Sequence, residues 1–235
     1  WFRTYWLAFG GVLLVVGYLF WKRGTDSGRK ARWQIAKGRL NVRTIASVII
    51  LLAIFIGSGA FINYNTKTLN NYRTVKQGTI GSAEYEKQLS QYDKIAQPKV
   101  IDVKIVADLI PEERSAKIKT TFKMVNKSNE VIDSLHLNWG PEGLLKKEVN
   151  TFTIEGYVPK LGKRYDDFGY EIYAFESPLK PNDTITMTLE VTSKYNGFPN
   201  EGSGSDIVYN GTFLNNNFFP SFGYSAQGEL TSDQD

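Results

Sequence analysis

The chain has 235 residues, with 28 Lys and Arg against 24 Asp and Glu, one histidine and no cysteine. The missing cysteine excludes disulfides, Cys-ligated zinc, iron–sulfur clusters and thiol nucleophiles, but it does not identify a compartment. Residues 1–64 hold nine basic residues and one acid, Asp26, leaving 19 basic and 23 acidic residues beyond Tyr64; the basic excess therefore belongs to the first quarter, and no nucleic-acid partner is expected.

Tyr5 to Trp21 is an apolar run crowded with aromatic residues at both ends, Trp1, Phe2, Tyr5 and Trp6 before it and Tyr18, Phe20 and Trp21 at its close. Tyr and Trp favour the headgroup level of a bilayer, so the run reads as a spanning helix; a cleaved signal peptide fits poorly because no small-residue cleavage site follows. Ile45 to Tyr64 is a second, uncharged run of twenty residues. As a helix it is about 30 Å long, the hydrocarbon thickness of a bilayer. A buried soluble helix would need a second apolar layer, and the flanking sequence is charged or polar. Neither span carries Asp, Glu, Lys, Arg or His, so no proton or ion relay is expected inside them.

Between the spans, Lys22 to Arg43 carries eight of the nine basic residues. That excess places the connector in the cytoplasm and residues 65–235 outside it. Trp33, Ala36 and Leu40 recur at helical spacing there, read either as a helix on the anionic inner leaflet or as a solvated connector. Gly57, Ser58, Gly59 and Ala60 are small enough to admit another helix of a bundle.

Thr66 to Gly81 is polar and reads as a juxtamembrane connector. Ser82 is placed to cap a short helix with Glu84 in its first turn and Tyr85, Leu89 and Tyr92 on one face, ending before Pro98. From Pro98 the period becomes two. Strands are expected through Ile101, Val103, Ile105 and Leu109; through Ala116, Ile118, Thr120, Phe122 and Met124; and through Val131, Asp133, Leu135 and Leu137. Val149 to Ile154, Gly169 to Phe175 and Thr184 to Ser193 follow, with Pro181-Asn182-Asp183 as a turn. The resulting fold class is an α+β membrane protein, two transmembrane helices followed by a mostly antiparallel β-sandwich or saddle. Its parts are residues 1–64 as a hairpin with spans 5–21 and 45–64, residues 65–97 as connector and short helix, and residues 98–235 as a β-domain incomplete at its C-terminal end. Tyr195 to Tyr224 is rich in Gly, Asn and aromatics, and its large rings require burial. The chain, opening on Trp1, is expected to be a segment of a longer protein.

No isolated residue makes a catalytic, cofactor or metal site. His136 is a lone imidazole where zinc needs three or four ligands. Asp166 with Asp167, and Glu112 with Glu113, are adjacent acids that point apart or face water. Gly202-Ser203-Gly204 is a loop with no following Lys-Ser/Thr to hold phosphate. The glycosylation patterns at Asn126, Asn182 and Asn210 are explained by turn formation.

Three stretches carry a resemblance: YNTKTLNNYRT after the second span, the strand pair VIDVKIVADLIPEERSAKIKTTFKM, and NGTFLNNNFFPSFGY. From about Phe61 to Tyr224 the chain resembles bacterial fusions of an ABC-2-type transporter permease with an extracytoplasmic aminopeptidase N-like (gluzincin) zinc metallopeptidase. The resemblance implies the end of the permease and the N-terminal β-domain of the peptidase, lying in the inner membrane with residues 65–235 periplasmic. It implies the bilayer, other permease helices, the downstream peptidase domain and an ABC ATPase as partners. Zinc would lie downstream, on Gly-x-Met-x-Asn and His-Glu-x-x-His motifs absent from this segment, so the segment is non-catalytic and the parent chain a zinc aminopeptidase. Relatives use a Gln or Glu late in this domain to hold the substrate's amino terminus; Gln227 sits in a different local pattern and is not assigned. The alternative is a non-enzymatic binding or scaffold domain of an ABC-type exporter.

Overall fold

The computed structural model describes residues 1–21, 28–70, 72–199, 205–209 and 211–230. It forms two compact units, Trp1–Leu69 and Asn70–Asp235.

The first unit is helical: α1 (Phe2–Phe20), α2 (Arg29–Arg39) and α3 (Val42–Asn63), the last continuing into a wide turn over Tyr64–Thr68. Helices α1 and α3 run antiparallel, with Trp1 against Phe61 at 4.4 Å, Tyr5 stacked on Phe55 at 4.5 Å and Gly11 against Leu51. The small residues of α3 admit this neighbour: a Cβ at Gly59 would lie 3.1 Å from the Tyr5 ring. Asn41 caps α3 by accepting from the Thr44 amide at 2.9 Å. The end of α1 is closed from outside, since Arg39 Nη1 donates to the carbonyls of Tyr18 and Trp21 at 2.5 and 2.6 Å and its guanidinium lies over the Tyr18 ring. Two stretches, Phe2–Phe20 and Val42–Thr68, are long and apolar enough to cross a membrane, and only 11% and 6% of their most apolar windows are buried within the protein. A helix in a soluble core would be mostly covered. The basic connector is helical from Arg29; Lys22, Arg23 and Asp26 lie outside the described residues.

The second unit is a two-sheet sandwich with one helix. Strands β1 (Lys99–Ile110), β2 (Ser115–Val125), β7 (Thr184–Tyr195) and β4 (Leu145–Ile154) form one sheet in the order β1-β2-β7-β4. Strands β5 (Lys160–Tyr165), β6 (Tyr170–Leu179), β3 (Ile132–Asn138) and β8 (Ser221–Phe222) form the other in the order β5-β6-β3-β8. All pairings are antiparallel. Alternation makes β2 and β7 the spine: Ile118 faces Val191, Phe122 faces Met187 and Met124 faces Ile185, while Lys117, Lys119 and Lys123 point outward. Phe122, Met124, Ile185, Met187 and Val191 meet Ile132, Leu135, Leu137, Tyr173 and Leu179 of the opposite sheet in the main core, and Ile118 packs in a second cluster with Ala116, Tyr195, Ile207 and Phe218.

Four expectations are corrected. Helix α4 runs Val75–Leu89 and is capped by Thr74, not Ser82: Thr74 Oγ1 accepts from the Gln77 amide, and Gln77 Oε1 accepts from the Thr74 amide. This reciprocal box outweighs the two internal glycines, Gly78 and Gly81. In β3 a bulge between Ile132 and Ser134 shifts the alternation, so Ile132 is buried and Val131 exposed. A bulge at Ile101 likewise puts Val100 with Val103, Ile105 and Leu109 on the inner face of β1, and no residue of that strand is buried. Strand β4 begins at Leu145, and β5 and β8 were not anticipated. The segment after Tyr195 buries part of its aromatic surface: Phe218 packs among Ala116, Ile118 and Tyr195 and Phe222 lies edge-on to Phe122, whereas Tyr209 and Phe213 stay exposed.

Candidate functional site

The two sheets do not cover each other completely. Along the side where β1 ends one sheet and β8 the other, the inner face lies open as a groove of about 1180 Å³. Its apolar floor is Val100, Val103, Ile105 and Phe122; α4 contributes Gly78, Gly81, Ser82 and Tyr85. Trp139, Phe168 and Phe219 add aromatic walls, and Asn138, Asn216, Asn217 and Gln227 add amides. The groove thus holds Gln227 and leaves His136 outside its lining.

Tyr85 organises the wall. Its hydroxyl donates to the Ser225 carbonyl at 3.1 Å and accepts from Asn138 Nδ2 and the Ser225 amide, both at 3.2 Å. The ring stacks on Tyr224 and meets Phe168 edge-on. A Cβ at Gly228 would stand 2.7 Å from that ring, so glycine is needed for the close approach. Burial pushes the Tyr85 hydroxyl above its ordinary pKa, keeping it a donor at neutral pH. Among the described residues the groove lining holds one charged side chain, Arg73, and no carboxylate, imidazole or lysine. It offers shape, apolar area, amide hydrogen bonds and the Arg73 guanidinium, and among the described residues no side chain that changes charge near neutral pH.

Beneath the wall lies His136, 2% exposed. Its Nδ1 is 2.8 Å from the Tyr170 hydroxyl and its Nε2 is 3.0 Å from Ser134 Oγ, so both nitrogens are satisfied in either neutral tautomer. Tyr92 and Tyr170 meet the ring edge-on, and the His136 amide donates to Gln97 Oε1 at 2.8 Å. Burial lowers the imidazole pKa to about 4. Serine, histidine and tyrosine here form an internal brace: Tyr170 is fully buried, leaving no path for a substrate. On the far side of β3, Glu171 binds Arg164 at 2.6 Å and accepts from Tyr173 Oη at 2.8 Å and Trp139 Nε1 at 3.3 Å. Lys147 donates to the Trp139 carbonyl at 3.3 Å, and burial lowers its pKa to about 8.

The paired acids stand apart from the groove. Asp166 and Asp167 lie in an exposed turn, as do Glu112 and Glu113, of which Glu113 pairs with Lys194 at 3.6 Å. Asn126 is fully buried: Nδ2 donates to the carbonyls of Glu130 and Leu179, and Oδ1 accepts from the amide and hydroxyl of Ser128. Asn182 adopts a left-handed turn conformation at φ 70°. Gly202-Ser203-Gly204 and Asn210 lie outside the described residues. Among the described residues no group of three His, Cys, Asp or Glu is placed to hold a metal ion.

No family model matches the chain, and no curated protein matches it. Among solved structures, the M1 zinc metallopeptidase from Deinococcus radiodurans is similar at 15% identity, covering 42% of this chain and 21% of that one with a TM-score of 0.33. A mutant of the same enzyme bound to a Tyr-ser-ala substrate is similar at 18% identity, covering 53% and 30%, also at 0.33. The carbohydrate-binding module CBM3b of cellobiohydrolase 9A from Clostridium thermocellum is similar at 19% identity, covering 56% and 95%, at 0.23. The chain thus spans less than a third of the length of these metallopeptidases, and the likeness is too slight to assign it to their family.

Proposed function

We propose that this chain is the membrane anchor and non-catalytic β-domain of an ABC-2-type permease joined to an aminopeptidase N-like zinc metallopeptidase, the β-domain packing on the peptidase and shaping one wall of its cleft. The observation that carries the reading is the open groove, with an apolar floor, aromatic and amide walls and, among the described residues, no carboxylate, imidazole or lysine in its lining. A wall for a neighbour's cleft needs area and shape; a catalytic site of its own would need titratable groups. The FFPSFGY stretch supports it further, because Phe219, Pro220 and Ser221 line the groove while Phe218 is buried in the core. In this reading α1 and α3 cross the inner membrane of a bacterium, with α2 inside and residues 65–235 in the periplasm. Lipid, other permease helices, the peptidase domain and an ABC ATPase are the partners, and zinc belongs to the peptidase domain.

The test is aminopeptidase activity in membranes carrying the parent protein. Hydrolysis of aminoacyl amides that is abolished by a zinc chelator and restored by zinc is the expected result. Asn217→Arg, which adds a second long cation to a lining that already holds Arg73, lowers kcat/KM for peptides. Membranes with no chelator-sensitive hydrolysis overturn the reading and leave the groove to a non-enzymatic exporter domain.

A further inference from the structure

Strand β1 is an edge: one side pairs with β2, and the other meets no strand among the described residues. It is long, running twelve residues, and its outward face places Val106, 60% exposed, among Asp102, Lys104, Asp108 and Ile110. An uncovered edge of this kind is a template for another strand. Its own sequence narrows the choice of partner.

Pairing with a second copy about a two-fold axis normal to the sheet keeps each face on its own side, so every residue must lie opposite one of the same face. Few registers remain. Centring the axis on Lys104 sets Lys104 against itself; centring it on Ile105 sets Asp102 against Asp108 twice. Both oppose like charges, which is destabilising. Centring on Val103 runs into the bulge at Ile101, and centring on Ala107 runs Val103 into Pro111, which ends the strand. Centring on Val106 fits throughout: Asp102 to Ile110 pairs with its copy, Lys104 lies opposite Asp108 twice, Val103 faces Leu109, Ile105 faces Ala107, and Val106 meets itself on the axis. Lys104 is opposite Thr121 on β2 and so has no acid across from it within its own sheet. Bulge and proline bound the matched stretch at its two ends.

We propose that β1 is a homodimerisation edge, two copies joining antiparallel through Asp102–Ile110 about Val106 into one continuous eight-stranded sheet. The pairing adds about eight to ten backbone hydrogen bonds, and Lys104 and Asp108 select the register and the partner. It extends the inner-face wall of the groove without filling the groove, and it does not depend on the peptidase reading.

These 235 residues contain no cysteine, so a single introduced cysteine is the only thiol the segment contributes to cross-linking in membranes, and the two tags identify the chains in the product. With two differently tagged copies co-expressed, Val106→Cys gives a disulfide-linked dimer containing both tags under mild oxidation, and Lys127→Cys, in the exposed turn after β2, does not. Lys104→Glu, placing an acid against Asp108, weakens the Val106→Cys cross-link about tenfold. Lys104→Glu combined with Asp108→Lys restores it. Equal protease resistance of all variants shows that the domain is folded. The proposal is overturned if Val106→Cys cross-links no better than Lys127→Cys, if its product carries a different chain, or if the double charge reversal fails to restore the dimer.

Discussion

Replacing His136 by glutamine removes a titration that the fold makes costly. In the unfolded chain the imidazole has its ordinary pKa of 6.5, and in the folded protein burial lowers this to about 4. Because the folded value is the lower one, the unfolded state binds the proton more readily as pH falls, so the stabilisation present above pH 6.5 is lost between 6.5 and 4. The full loss is about 3 kcal/mol, of which about 2 kcal/mol is gone by pH 5. For a unit of this size that corresponds to a fall in Tm of about 4–8 °C. The assay is thermal unfolding of the β-domain within the full chain, followed by far-UV circular dichroism between pH 7 and 4.5. Carboxylates titrate in both proteins, so the difference between parent and His136→Gln isolates the histidine. The variant starts less stable at pH 7, having lost the fit between Ser134 and Tyr170 hydroxyls, and its stability falls less steeply as pH drops. Parallel pH profiles for the two proteins refute the reasoning.

Gly169 sits at φ 60°, where a Cβ would lie 2.2 Å from the Gly140 carbonyl oxygen while its own carbonyl accepts from the Trp139 amide. Gly169→Ala therefore costs about 2–4 kcal/mol in urea unfolding. Asn126→Asp replaces a donor to two carbonyls with an oxygen facing both, so it destabilises more than Asn126→Ala, by about 3 kcal/mol or more in the same assay. Arg39→Ala strips the carbonyls of Tyr18 and Trp21 of their donor and lowers the melting temperature of the helical unit in detergent; Arg39→Lys recovers part of the loss, lacking the guanidinium fork.

The strands that the sequence makes plain are those with one face fully covered. β2 and β7 alternate without interruption because each has a sheet neighbour on both sides and a core beneath, and their apolar period follows from that burial. β5 was invisible: Lys160, Lys163 and Arg164 break the apolar period on an edge strand that is exposed along most of its length. The bulges in β1 and β3 insert one residue and reverse the faces beyond it, which a strict period of two cannot register. The start of α4 is set by the Thr74–Gln77 capping box, which lies inside the polar run from Thr66 to Gly81 that reads as a connector. The groove and the His136 brace were not legible. Tyr85, Asn138, Phe168 and Ser225 converge only because α4 and the segment after β8 fold onto the same sheet, and no local spacing records that meeting.

The account rests on the basic connector lying inside the cell and the β-domain outside. Single cysteines at Lys30 in α2 and Lys127 in the turn after β2, both exposed, report the two sides directly. In intact spheroplasts a membrane-impermeant maleimide labels Lys127→Cys, and labels Lys30→Cys only after permeabilisation. Labelling of Lys30→Cys in intact cells with Lys127→Cys protected contradicts it.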